Sequence, residues 1–205
     1  FGPLGFQGEL VYMGLGDRKF DDDRSDQDFK RLSFNVEGNF TMDMYQFELG
    51  YVYARGQGRS NDIKGNPGAI GNDWQKLWIL TGSEDDGIAN NLGGFGNLSA
   101  ENGQLVNNFG AQLFYGGVTV MPMENLDVKF AVGYARADKT PSGVDKNYGW
   151  EYDLFLNYKI FDNLTYSFIA AYLDAGDFWK EVPGGVERRD LEDNFHLFHQ
   201  LTLAF

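Results

Sequence analysis

Strict two-residue alternation of apolar and polar side chains is the feature that most limits what this chain can become. Over 150–160 the even positions are Trp150, Tyr152, Leu154, Leu156, Tyr158 and Ile160, and the odd ones are Glu151, Asp153, Phe155, Asn157 and Lys159. A strand sends successive side chains to opposite faces, so one face of this segment is wholly apolar and the other mostly polar. A helix would mix the two classes around its circumference. The same signature returns over 32–41, 45–53, 126–134 and 164–172, more weakly over 4–15 and 109–121, and finally over 195–205. About eight strands follow, each near the roughly 9–11 residues that cross a bilayer when tilted.

The links alternate as well. Tight ones at 42–44, 122–125 and 161–163 are interspersed with long, polar, glycine-rich ones at 16–31, 56–108, 135–149 and 175–194. Outer-membrane barrels have short periplasmic turns and longer extracellular loops. A soluble sandwich, its apolar face packed by Val, Ile and Leu against a second sheet, has no reason to follow that rule. Here the apolar face carries rings near the strand ends. Tyr51, Tyr53, Tyr134, Trp150, Tyr152 and Tyr172 are expected to form an outer girdle; Phe40, Tyr45, Tyr158 and Phe205 are expected to form an inner one. Rings with a polar atom favour the headgroup zone, where one end is wet. The expected fold is all-β, a transmembrane antiparallel meander β-barrel with both ends of the given chain on the periplasmic side. Residues 1–205 form one barrel domain or the C-terminal portion of a larger barrel, and 56–108 forms a long extracellular or lumen-folding loop.

Composition removes several function classes. A net charge of -13 argues against a nucleic-acid partner, which needs a basic stripe. The absence of cysteine removes disulfide frameworks, thiolate metal sites and cysteine nucleophiles together. His196 and His199 fall on opposite faces of one strand, so they cannot share a metal ion. The acidic runs at 21–28 and 83–86 lack the glycine and terminal Glu of a calcium loop. The glycine pairs Gly93-Gly94 and Gly184-Gly185 precede no helix that would make a phosphate cradle. With no nucleophile–base–acid arrangement, neither enzymatic activity nor a cofactor is expected. Alternation from Phe205 aims His199 at lipid, a conflict that a bulge or a neighbouring subunit would relieve.

The expected lining of the interior is Glu9, Glu37, Glu48, Asp127, Lys129, Glu151, Asp153, Asn157 and Lys159, with Gln112 assigned to the same face. Charges buried without water or partners cost several kcal/mol per ion, so the interior must be wet or ion-paired. An eight-strand barrel is filled by its own side chains, whereas about sixteen strands leave a channel. In an open pore these carboxylates would outnumber Lys129 and Lys159 and favour cations.

The segment 195–205, alternating and ending on Phe205, resembles the C-terminal signature strand of bacterial outer-membrane proteins. That resemblance implies recognition by the barrel-assembly machinery. Residues 1–9, 74–82 and 150–177 resemble the C-terminal part of alginate-export-type porins, larger barrels of about eighteen strands that pass sugars or other solutes. The resemblance implies the back part of a Gram-negative outer-membrane porin for passive diffusion of small solutes, set in outer-membrane lipid and lipopolysaccharide, with homo-oligomerisation open. A link as long as 56–108 also suits a constriction in a larger porin, so a truncated chain is expected. The acidic lining departs from the basic conduit that polyanion export requires. The alternative is a complete eight-stranded, non-conducting outer-membrane barrel serving as an anchor, adhesion or surface-interaction protein.

Overall fold

The computed structural model describes residues 3–22, 25–58, 61–65, 76–81, 109–181 and 192–205. The readings at residues 1–2, Asp23, Arg24, Trp74, Gln75, 82–86, Gly93, Gly94, Gly184 and Gly185 lie outside them. The elements are β1 (Leu4–Met13), β2 (Asp17–Arg18), β3 (Gln27–Met42), β4 (Tyr45–Ala54), β5 (Ile63–Gly65), β6 (Ala111–Met123), β7 (Leu126–Arg136), β8 (Asn147–Phe161), β9 (Leu164–Ala175), α1 (Phe178–Glu181) and β10 (Asp193–Leu203). All ten strands join one sheet in the order β1-β3-β4-β6-β7-β8-β9-β10, with β2 and β5 attached to β3. Every pair along that path is antiparallel, so the eight long strands form a meander in chain order.

The tight turns fall at 43–44, 124–125 and 162–163, and the strand ends from which the long links leave lie at the other end of the sheet. Strand β3 starts earlier than the alternation suggests, at Gln27. Its first residues gain partners from β2 and, in parallel, from β5, both drawn from links expected to be irregular.

The faces sort the opposite way from those of a water-soluble domain. Glu151 is 0% exposed, Asp153 3% and Glu37 7%, whereas Phe6 is 77% exposed, Leu49 72% and Phe130 55%. Isolated exposed apolar residues are ordinary, but a continuous apolar face opposite buried carboxylates is not. Among the described residues no second sheet covers that apolar face.

The polar face is concave. Lys76 reaches Glu37 on β3, while Trp78 packs on Phe198 of β10 with ring centroids 5.3 Å apart. In a flat sheet β3 and β10 would stand about 29 Å apart, six strand spacings. Lys76 and Trp78 are separated by only about 7 Å of chain. The sheet must therefore curl around segment 76–81. Among the described residues the outer edges of β1 and β10 carry no ladder partner.

One expectation needs correction. Gln112 was placed on the polar face, but Ala111, Leu113 and Tyr115 are the buried set of β6, and Phe114, which shares the Gln112 face, is 53% exposed. Register decides this, because Gln112 stands opposite Tyr53 and Arg136 at the strand's end, where a polar residue on the outer face meets polar neighbours. Of the two ways of relieving the conflict at His199, a bulge in β10 is not found among the described residues. The β9–β10 ladder runs without a shift from Asp193 to Leu203, leaving His199 on the apolar face, 6.3 Å from the Tyr166 ring. His196 lies on the opposite, inward face of β10, as alternation requires.

Candidate functional site

Strand pleat alone brings Glu151 and Asp153, two positions apart on β8, onto one side of the sheet. Glu37 of β3, Glu48 of β4 and Lys129 of β7 share that side. The curl then turns these groups toward one another, and segment 76–81 lies among them.

The segment's irregular backbone is buried, so each amide needs a partner. The Ile79 N–H donates to Glu151 Oε1 at 2.5 Å and the Leu80 N–H to Glu151 Oε2 at 2.6 Å. The Trp78 N–H donates to Asp153 Oδ2 at 2.9 Å. Thr81 Oγ1 accepts the N–H groups of Lys76 and Leu77 at 3.1 and 2.9 Å, and donates to the Leu77 carbonyl at 2.7 Å. Five consecutive amides are thus held by side-chain oxygens, and no part of a regular ladder is used.

Ion pairs complete the cradle. Lys76 Nζ is 2.6 Å from Glu37 Oε2 and 3.5 Å from Glu48 Oε2. Lys129 Nζ is 2.5 Å from Glu48 Oε1 and sits 5.9 Å from the centroid of the Phe155 ring. Glu37 also accepts the Tyr115 hydroxyl and, at 2.8 Å, Gln7 Nε2. Charge-assisted bonds of this kind are the strong ones, and burial makes each partner costly to remove.

Space for the segment is cut into the sheet by glycine. A Cβ at Gly133 would collide with Leu77 Cδ1. Gly133→Ala is therefore expected to push Leu77 out of its seat at a cost of about 1–3 kcal/mol, the usual range for overpacking. Equilibrium unfolding of the variant in detergent or lipid measures this, and an unchanged midpoint would show that the seat is not shaped by Gly133.

Around the segment the concave core includes Val52, Leu113, Ala131 and Leu173, with Leu77 and Ile79 fully buried. Toward the long links the core continues into an aromatic cluster. Phe178 packs edge-on against Tyr148 and Phe109, and Trp179 Nε1 donates to the Tyr148 carbonyl at 2.7 Å. Toward the tight turns the trough stays open as a cavity of about 580 Å³, lined by Gln46, Thr119, Asp127, Asn157 and Gln200, with Trp78, Phe155 and Phe198 along one side.

Of the expected lining residues, Glu37, Glu48, Lys129, Glu151 and Asp153 come together in the cradle, and Asp127 and Asn157 line the cavity. Asn157 accepts the Ser167 hydroxyl at 2.7 Å. Glu9 stands apart on β1, where Asn35 Nδ2 reaches it at 3.4 Å, and Lys159 is exposed beside the last tight turn. Sequence reasoning missed Lys76, Thr81 and Tyr115. The available signal was the run Leu77-Trp78-Ile79-Leu80 inside a polar, glycine-rich link, since such a run has to bury itself somewhere.

On the apolar face Tyr51, Phe114, Tyr134 and Trp150 stand in register across four strands, with ring centroids 4.6 Å apart for Tyr51–Phe114 and 5.1 Å for Tyr134–Trp150. Tyr53 packs on Phe34, and Tyr152 faces Tyr172. Nearer the tight turns Phe40 and Tyr45 flank Phe47, Tyr158 faces Tyr166, and Phe205 follows the end of β10.

No protein-family model matches the chain, and no curated protein matches it. One similar solved structure is NanC porin in a rhombohedral crystal form, 13% identical, with a TM-score of 0.44, covering 98% of this chain and 79% of that one. The narrower likeness to alginate-export-type porins finds no support in these comparisons.

Proposed function

We propose that this chain builds the wall of an outer-membrane channel for passive diffusion of small solutes, with an acid-biased lumen on its concave face. One observation carries the reading: apolar and aromatic side chains cover the exposed face while ionisable groups are gathered inside. That is the polarity of a wall between lipid and water. The aromatic rows at the two ends of the strands fit the two headgroup zones, and the long links fit the cell exterior. The edges of β1 and β10 cannot face lipid unpaired, so within a membrane they must find each other, further chain or another copy.

The filled cradle is the observation that favours the second reading, a non-conducting barrel that anchors or presents its long links. Planar-bilayer recording separates the two. Stepwise openings in which cations permeate faster than anions support the channel, with the preference weakened by Asp127→Lys in the open cavity. A silent bilayer containing correctly inserted protein supports the anchor and removes the transport reading.

A further inference from the structure

We propose that the outward face of β6–β10 holds one aminophospholipid, its acyl chain in an apolar groove between two rows of side chains and its ammonium on Asp174 and Asp193. The inference rests on the reading of that face as the lipid side of the wall and adds a preference for one headgroup.

The groove follows from the ladders. One outward row carries Tyr152, Tyr172 and Phe195, and the next carries Phe130, Leu154 and Ala170. The residues between the rows point inward, so only their backbone floors the space between. The result is an open groove of about 550 Å³, which ends on β6 at Gly116, where no side chain blocks it. The five strands that it crosses span about 19 Å, four strand spacings. An acyl chain reaching through one leaflet needs about 15 Å, half of the hydrocarbon core.

Any acyl chain suits such a groove; the rim selects the headgroup. The aromatic row that runs through Tyr134 and Trp150 continues in register to Asp174 on β9 and Asp193 on β10. A row that fits the headgroup zone therefore ends in two carboxylates, both exposed. They stand directly opposite each other, an arrangement that like charges disfavour, and among the described residues no cation pairs with either. The Tyr172 hydroxyl donates to Asp193, and Trp150 stands opposite Asp174. A primary ammonium neutralises both carboxylates, gives them N–H donors and is attracted to the face of a tryptophan ring. A choline headgroup lacks those donors, and a glycerol headgroup brings no positive charge. Asp174 and Asp193 lie about 7 Å, one same-face step, from Tyr172 and Phe195 at the end of the groove, so one lipid can reach both features.

Trp150, in the row beside the groove, reports its occupancy. The test uses the full chain in mixed phospholipid vesicles and the quenching of Trp150 fluorescence by lipids with brominated acyl chains, the Trp150 signal being the difference from Trp150→Phe. Brominated phosphatidylethanolamine is expected to bind about threefold to tenfold more tightly than phosphatidylcholine or phosphatidylglycerol with the same chains, the range that one or two exposed charged contacts give. The preference should disappear in Asp174→Asn/Asp193→Asn. It should also disappear in Ala170→Phe, whose ring fills the groove and leaves the carboxylates in place. A preference for phosphatidylglycerol, or one for phosphatidylethanolamine that survives either variant, would overturn the proposal. Equal quenching by all three headgroups sinks this inference alone, whereas no quenching of Trp150 by any brominated lipid sinks the lipid-facing reading with it.

Discussion

Glu151→Ala is expected to release segment 76–81 and to raise the labelling rate of a cysteine at position 79 by about 30- to 700-fold. The carboxylate of Glu151 is the acceptor for two buried amides, those of Ile79 and Leu80. Its loss strands both donors where no water reaches them, each at about 1–2 kcal/mol, and the segment can regain those bonds only by leaving. A combined cost of about 2–4 kcal/mol corresponds to the stated factor at 1.4 kcal/mol per tenfold. The chain contains no cysteine, so Ile79→Cys gives a single reporter at a position that is fully buried in its seat. Maleimide labelling is compared between Ile79→Cys and Ile79→Cys/Glu151→Ala, which cancels the cost of the reporter itself. Equal rates would mean that the carboxylate does not hold the segment. In the channel reading the same variant should also conduct more, because the group filling the trough has lost two of its attachments.

Leu154→Arg is expected to destabilise the protein in phospholipid vesicles by about 2–4 kcal/mol, the cost of an arginine on the lipid face at the bilayer midplane. Leu154 lies near the middle of the 15-residue strand β8, on the outward row that runs from Val118 through Phe130 and Leu154 to Ala170 and Leu197. Asn157→Arg, three residues along and on the inward side beside the cavity, should change stability little, since water reaches it. Equilibrium denaturant unfolding from vesicles measures both. An outward side chain of a water-soluble protein would tolerate arginine within about 0.5 kcal/mol. A neutral Leu154→Arg would therefore overturn the lipid-facing assignment and the function built on it.

Much of the architecture was legible in the sequence because strand periodicity is local. The parity of 150–160 places Glu151 and Asp153 on one side and Trp150, Tyr152 and Leu154 on the other, whatever the partners are. The tight turns at 43–44, 124–125 and 162–163 lie within the short links that separate the alternating runs. Legibility failed where the pattern is mixed. On β6, Gln112 suggested one phase while Phe114, Val118 and Val120, at the same parity, blurred it, and the registers with β4 and β7 settled the opposite one.

The amino-acid sequence by itself determined which side chains share a face, how many long strands there are, and that the ionisable face is not the aromatic one, because each follows from the pleat of a single strand. Only the tertiary structure decided that the sheet curls, that Glu37 on β3 and Phe198 on β10 both reach segment 76–81, and that Glu151 serves backbone amides more than 70 residues away. Those contacts depend on curvature and on long-range closure across several strands, and neither leaves a periodic trace in the order of residues.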